Sequence, residues 1–208
     1  MSKGNTMPAK KSAKKVSKKK TARKAAKTKT AESKPKLSKS QMSALDGLKT
    51  AIQTEIDGYN FYILAAQKTK DDKGKQMFEY LAQEEVAHRE ILENQYKYLV
   101  EEGKWGKLPK PTKVPKQFKA KSPIFTPEFS KRTKLENFEL SALSIGILLE
   151  QKSIDYYRKL SKQNRDPKAK KMFEELAKWE GEHLKLLTNQ HNMLQREYWR
   201  DAGFEPLF

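Results

Sequence analysis

A glutamate followed three positions later by a histidine occurs twice in this chain, at positions 85–88 and 180–183, and a further glutamate stands thirty residues before each pair. Residues three apart lie on one face of an α-helix, so each glutamate and histidine can point at the same place. Four carboxylates and two imidazoles are the set with which a four-helix bundle holds two metal ions. The six residues are Glu55, Glu85, His88, Glu150, Glu180 and His183.

The two patterns belong to a longer internal repeat. Residues 75–99 align with residues 170–194 at an offset of 95 positions, and 12 of the 25 aligned residues are identical. Self-similarity at a fixed offset indicates a repeated structural unit. The sequence therefore predicts an all-α fold, a four-helix bundle built from two copies of a long helical hairpin.

Capping residues mark the ends of the first hairpin. Ser38 and Gln41 have the spacing of a capping box, which predicts that the first helix begins there. Asp71 and Gly74 interrupt the helical pattern, and the aspartate can cap the second helix. Gly103 is expected to end that helix, because glycine readily adopts the left-handed conformation found at helix C-termini.

A proline-rich connection joins the two hairpins. Five prolines follow the second helix and prevent a continuous helical segment. A bundle with one long crossover needs such a connection, because its second and third helices run parallel. We expect the third helix to begin at Thr133, with Glu136 completing a capping box, and the fourth to follow Asp166, with Pro167 in its first position. The aromatic-rich residues 198–208 are expected to pack across the end of the bundle.

Each predicted helix carries a glutamate in the middle of an apolar face. A buried carboxylate is costly unless it is paired or bound to a metal, and two divalent cations would balance four carboxylates. Carboxylate and imidazole ligands with open positions suit iron or manganese. The alternative, that the glutamates face solvent and the histidines are incidental, leaves the repeat unexplained. The four faces are Leu48, Ile52, Glu55, Tyr59, Tyr62 and Ala66; Phe78, Leu81, Glu85, His88 and Leu92; Leu143, Ile147, Glu150, Ile154 and Tyr157; and Phe173, Leu176, Glu180, His183 and Leu187.

Three tyrosines, Tyr59, Tyr62 and Tyr157, lie within one or two turns of the glutamates on these faces. They can donate hydrogen bonds to the glutamates of the site or take part in electron transfer, although plain core packing is the favoured interpretation. His191, two turns beyond His183, is interpreted as a polar residue at the end of the bundle. Packing anchors are expected at Trp105, Trp179 and Trp199.

The positive charge of the chain is concentrated at its N-terminus. Residues 1–40 hold 14 lysines and Arg23 against Glu32 alone, within a formal net charge of +18 for the whole chain. Residues 1–38 contain no aromatic side chain and cannot bury enough apolar surface to offset chain entropy. They are predicted to be a disordered Lys-rich tail before a domain that spans residues 39–208. Such tails bind duplex DNA through its phosphates, so DNA is a candidate partner, while the alternative is an extension that only keeps the protein in solution.

The composition excludes several classes of protein. The chain has no cysteine, which excludes disulfides, thiolate-bound zinc and cysteine-ligated iron centres. It has no run of the ~18 apolar residues that a transmembrane helix needs, and no apolar signal-peptide segment. We therefore expect a cytoplasmic protein with no membrane partner.

With the six repeated residues in place, the chain resembles the ferritin-like superfamily of di-iron proteins, and within it the rubrerythrin (erythrin) branch, which shares the strong internal repeat. The resemblance covers about residues 40–200. It implies a ferritin-like bundle in which the six residues hold two iron ions per chain, with manganese as the alternative. Rubrerythrins also place a glutamate three residues after the third-helix ligand, where this chain has Ser153, and the equivalent position after Glu55 is Gly58.

The resemblance further implies a non-haem di-iron oxidoreductase that reduces hydrogen peroxide or dioxygen at a carboxylate-bridged diferrous site and protects against oxidative stress. Rubrerythrins usually carry a cysteine-rich rubredoxin domain, and without cysteine the electron donor is expected to be a separate protein such as a rubredoxin. A homodimer or larger homo-oligomer is expected. Two alternatives remain, namely a ferroxidase or iron-handling protein, and a DNA-binding protein whose basic tail brings the bundle to DNA to limit iron-driven oxidation.

Overall fold

Four long α-helices form the described part of the protein, which in this computed structural model comprises residues 35–108, 115, 118, 124, 125, 138–201 and 203. No β-strand occurs within those residues, and none of their helices has the length and apolar character needed to cross a lipid bilayer. The all-α fold predicted from the sequence is confirmed. The helices are α1 (Lys39–Lys68), α2 (Asp72–Glu102), α3 (Phe138–Gln163) and α4 (Pro167–Asp201).

Side-chain caps define the helix ends much as predicted. Ser38 is the N-cap of α1, with its backbone N–H donating to Gln41 Oε1 at 2.9 Å and its hydroxyl accepting from the Gln41 N–H at 3.2 Å. Asp71 caps α2, and Gly103 ends it in the left-handed conformation with φ of 65°. Helix α4 begins at Pro167, directly after Asp166. The predicted start of the third helix at Thr133 and Glu136, the tail up to residue 34 and most of the proline-rich crossover lie outside the described residues.

Helices α2 and α3 run parallel to each other, and α1 is antiparallel to both. The hydroxyl of Tyr156 donates to the carbonyl of Gly47 at 3.2 Å, and Gly146 lies against the ring of Tyr62. Early residues of α1 therefore meet late residues of α3, which makes this pair antiparallel. Because a three-residue turn also makes α1 antiparallel to α2, the parallel arrangement expected from a long crossover follows.

The core consists of two apolar clusters at opposite ends of the bundle, with the glutamates and histidines between them. Members related by the internal repeat fall into different clusters, as Phe78 and Phe173 do, which shows that the two hairpins are related by an approximate two-fold rotation. The first cluster includes Tyr62, Met77, Phe78, Leu81, Leu143 and Leu187. The second includes Leu48, Leu92, Leu99, Tyr157, Phe173 and Leu176.

Residues of the crossover pack on the outside of the bundle. The ring of Phe118 stacks on Tyr80 with centroids 5.0 Å apart. The backbone N–H of Ile124 donates to Gln190 Oε1 at 2.7 Å. Phe118 therefore contacts α2, and Ile124 contacts α4.

The expectation that residues 198–208 fold across the bundle end is wrong for Tyr198 and Trp199. Both belong to α4, and their side chains are 39% and 38% exposed. No glycine or proline interrupts the chain between Gly181 and Gly203, so the helix continues and carries both rings along its outer side. Most residues after Asp201 lie outside the described part of the chain.

Candidate metal centre

The six repeated glutamates and histidines meet in the polar layer at the middle of the bundle. Each lies near the centre of its helix, on the face that the apolar periodicity turns inward, and none is more than 5% exposed. The predicted convergence of these side chains is therefore observed. Burying four carboxyl groups among apolar clusters is unfavourable unless something compensates their charge.

The six side chains form two overlapping groups. In each group, one potential ligand atom from each of four residues lies within 4.8 Å of the other three. Two glutamates on α2 and α4, Glu85 and Glu180, belong to both groups and are shared between them. The first group is Glu55, Glu85, His88 and Glu180, and the second is Glu85, Glu150, Glu180 and His183.

Glu180 lies between the two imidazoles. Its Oε1 is 3.0 Å from Nδ1 of His88, and its Oε2 is 3.1 Å from Nδ1 of His183. The imidazole rings stack on each other with centroids 5.4 Å apart and an interplanar angle of 20°. The two halves of the site are therefore joined through one carboxylate.

Several ligand atoms of the site are buried without a hydrogen-bond partner. They are Oε2 of Glu55, both carboxylate oxygens of Glu180, both ring nitrogens of His88 and Nδ1 of His183. The short contacts between Glu180 and the imidazoles bring opposite charges together. Buried polar atoms in proteins are normally hydrogen-bonded, so this cluster needs another partner. Oxygen and imidazole nitrogen donors fit divalent iron or manganese.

Burial and mutual repulsion set the pKa values of the carboxyl groups. Burial, followed by the charge of a neighbouring glutamate, raises the pKa of Glu55 and of Glu85 well above the usual value. Burial and then the charge of Glu180 raise the pKa of Glu150 to about 7. Burial would also raise the pKa of Glu180, but the charges of His88 and His183 lower it well below its usual range.

The imidazoles hold their protons more tightly than usual. Burial alone would lower both pKa values, but the carboxylates around the rings raise the pKa of His88 to about 9 and that of His183 to about 10. In the metal-free protein, protons therefore occupy positions that metal ions would take. Metal ligands must be deprotonated, so binding should release protons and strengthen as the pH rises.

Two tyrosines hydrogen-bond to Glu55 and Glu150, each of which belongs to only one of the two ligand groups. The hydroxyl of Tyr62 donates to Oε1 of Glu150, and that of Tyr157 donates to Oε1 of Glu55. Both rings are fully buried in the core, so these residues combine core packing with the hydrogen bonding considered from the sequence. Tyr59 is half-buried and packs against the first apolar cluster. Each of the two hydrogen bonds crosses from one hairpin to the other.

Gly58, considered from the sequence only as a position without an additional glutamate, and Trp179 contact the proposed ligands. A Cβ atom on Gly58 would lie 3.1 Å from Cδ of Glu85, so the missing side chain leaves room for a shared carboxylate. A glycine inside a helix costs about 1 kcal/mol relative to alanine, which is a sequence signal for such a close approach. Trp179, expected only as a packing anchor, stacks on the ring of His88 with centroids 5.3 Å apart.

A comparison with protein-family models shows which family the chain belongs to. The family model described as Rubrerythrin matches residues 9–96 and 46–191. The chain belongs to the rubrerythrin family. Rubrerythrins are a branch of the ferritin-like superfamily, so the resemblance predicted from the repeated residues is confirmed. The buried glutamate and histidine cluster is compatible with the metal site that membership of this family indicates.

A solved structure shares the fold. It is a hypothetical protein from Pyrococcus furiosus with a TM-score of 0.53 and 20% sequence identity, and the alignment covers 76% of this chain and 94% of that one. At this identity the similarity concerns the fold, which is the ferritin-like four-helix bundle. No curated protein sequence matches this rubrerythrin-family chain significantly.

Proposed function

We propose that this protein is a cytoplasmic non-haem di-iron oxidoreductase that reduces hydrogen peroxide or dioxygen with electrons from a separate donor protein such as a rubredoxin. The observation that carries the proposal is the pair of overlapping ligand groups with Glu85 and Glu180 in common. This arrangement offers each of two iron ions one imidazole, one glutamate of its own and two shared glutamates. Family membership supports the same conclusion.

The reaction needs electrons, protons and a dry site. Reduction of one hydrogen peroxide to two waters consumes two electrons and two protons, and the two iron ions would supply the electrons when bound. The apolar clusters on both sides of the site exclude water from it. The hydroxyls of Tyr62 and Tyr157 hold Glu150 and Glu55, so the terminal carboxylates keep their orientation while the charge at the site changes.

Metal analysis of the purified protein tests this proposal. After anaerobic loading with ferrous iron and desalting, we expect about two iron ions per chain, as in bundles with this ligand set. The iron-loaded protein is then mixed with peroxide or dioxygen, and the absorbance change is followed. Folded protein that retains no iron would refute the proposal.

A second candidate, ferroxidase or iron-handling activity, is favoured by the residues next to the site. Ser153 is buried at the position where the resembling rubrerythrins have an additional glutamate, and Gly58, the equivalent position after Glu55, lies against Glu85. Oxidation by dioxygen that is clearly faster than oxidation by peroxide, together with assembly into a large cage on size-exclusion chromatography, would support this activity instead.

Two further proposals concern partners. The charge of residues 1–40 supports DNA binding by the tail, which would place the redox site next to DNA. Exposed apolar side chains on α1 and α3, including Leu64 at 51% and Leu148 at 61%, support a homodimer or larger homo-oligomer. Analytical ultracentrifugation tests the second proposal, and a monomer at micromolar concentration would contradict it.

A further inference from the structure

The internal repeat breaks at the residue that precedes each shared glutamate. Glu84 stands before Glu85, and Trp179 stands at the equivalent position before Glu180. A carboxylate carries a negative charge and oxygen ligands, whereas an indole carries neither, so the two sides of the site differ although its six proposed ligands are related by the repeat.

Glu84 reaches the imidazole pair from the outside. One of its carboxylate oxygens and one ring nitrogen from each of His88 and His183 lie within 4.8 Å of one another. Glu84 and His88 are four residues apart on α2, which places both on one face of the helix. Glu84 is partly exposed, whereas both imidazoles are at least 98% buried. This carboxylate therefore lies between solvent and the buried centre.

Both ring nitrogens of His88 are buried without a hydrogen-bond partner. The Nδ1 atom of this ring lies against Glu180 at 3.0 Å. A ligating histidine normally donates its second N–H to a carboxylate, a carbonyl or water. Trp179 stacks on this ring at 5.3 Å and His183 stacks on it at 5.4 Å, so both are placed on its faces and the edge remains for a ligand.

We propose that Glu84, together with His88 and His183, forms a third cation position through which a divalent cation passes from solvent into the buried centre. This inference rests on the proposed metal centre and adds the route by which that centre is filled. One carboxylate oxygen and two imidazole nitrogens suit ferrous iron, cobalt or zinc. A cation held there has only to move past the imidazoles to reach the shared carboxylates.

The charge around this position favours cations. Burial, then the negative charge of Glu84, and last that of Glu182, raise the pKa of Tyr80. The rings of Tyr80 and His183 are nearly perpendicular, with centroids 6.5 Å apart. Carboxylates that line one opening raise the local concentration of cations and speed their arrival.

The rate of cobalt uptake by the metal-free, full-length protein tests the route. The protein is mixed rapidly with Co²⁺, and the visible absorbance of the bound ion is followed to completion. We expect Glu84→Gln to slow uptake by at least about tenfold, in line with losses on removing outer carboxylates of metal sites, while about two ions are bound at the end. Glu90→Gln, which removes an exposed carboxylate on the same helix, is the matched control and should load like the wild type.

The possible outcomes separate this inference from the proposed function. Equal uptake rates for Glu84→Gln and the wild type, or equal slowing by Glu90→Gln, would overturn the route while leaving the centre in place. Folded wild-type protein that binds no Co²⁺ would overturn the metal centre and the route with it. If Glu84→Gln fails to fold, Glu84→Asp keeps the charge but shortens its reach, and slower uptake with full final binding is again expected.

Discussion

The two shared glutamates should respond in opposite ways to the same substitution when no metal is bound. Glu180 has its pKa lowered by His88 and His183, so its anion balances the charge of both imidazoles. Glu85 has its pKa raised well above the usual value, so it favours the neutral form that an amide already resembles. We therefore expect Glu180→Gln to destabilise the metal-free protein strongly and Glu85→Gln to change its stability little.

The size of the difference follows from the contacts. Glu180 is 1% exposed and lies 3.0 Å and 3.1 Å from the two imidazole nitrogens. Removing one partner of a buried ion pair costs about 3–5 kcal/mol, because the remaining charge is left uncompensated. Replacing a neutral carboxyl by an amide of the same shape should change the free energy of unfolding by no more than about 1 kcal/mol. A bundle with a total stability of about 5–15 kcal/mol should therefore lose a large part of it only in Glu180→Gln.

Urea unfolding of chelator-treated protein at pH 7, followed by circular dichroism, measures both free energies. The same variants loaded with iron provide the control, because both glutamates belong to both ligand groups and each substitution should weaken metal binding. Equal destabilisation by the two substitutions, or a larger effect of Glu85→Gln, would refute the assignment of the charge to Glu180.

Four further predictions test other parts of the structure. Tyr157→Phe removes the hydroxyl that orients a terminal carboxylate, so competition with a chelator should show roughly tenfold weaker metal binding, and an unchanged affinity would contradict that role. Gly58→Ala places a Cβ atom 3.1 Å from Cδ of the shared Glu85 and should weaken metal binding, while a gain of about 1 kcal/mol in helix propensity limits any loss of stability. The control is Ser153→Ala at the repeat-related position, which should bind metal normally. The pKa of Glu150 is raised to about 7 from the usual 4.5, so the folded state holds the proton of this carboxyl group more tightly than the unfolded state does. The stability that this proton gives the metal-free protein should therefore fall as the pH rises from 5 to 7. Urea unfolding in which the wild type loses no stability relative to Glu150→Gln over this range would contradict the prediction. A chain that starts at residue 38 should keep its metal but lose DNA binding. The DNA affinity of the full-length protein should fall by about 0.9 log units per neutralised phosphate for each tenfold rise in salt. Equal DNA binding by both chains would exclude the tail as the DNA-binding segment.

Local features of the sequence were sufficient to predict the helices and to single out the candidate ligands. The caps at Ser38, Asp71 and Gly103 depend on residues within one turn of each other, and such short-range rules hold whatever the rest of the chain does. The repeated glutamates and histidines were recognisable because helical periodicity places residues three and four apart on one face. The approximate two-fold relation of the hairpins likewise follows from the repeat at an offset of 95 positions.

Packing between distant segments determined how the candidate ligands are arranged and which groups contact them. Tyr62 donates to a glutamate 88 positions away in the chain, and no local rule connects the two. The sharing of Glu85 and Glu180, the position of Glu180 between the imidazoles and the space left by Gly58 depend on how closely four helices approach one another. Sequence periodicity determines which face of a helix turns inward. The distances across the bundle, and with them the charge and proton affinity of each ligand, arise only when the helices pack, because burial and the nearest charges set both properties.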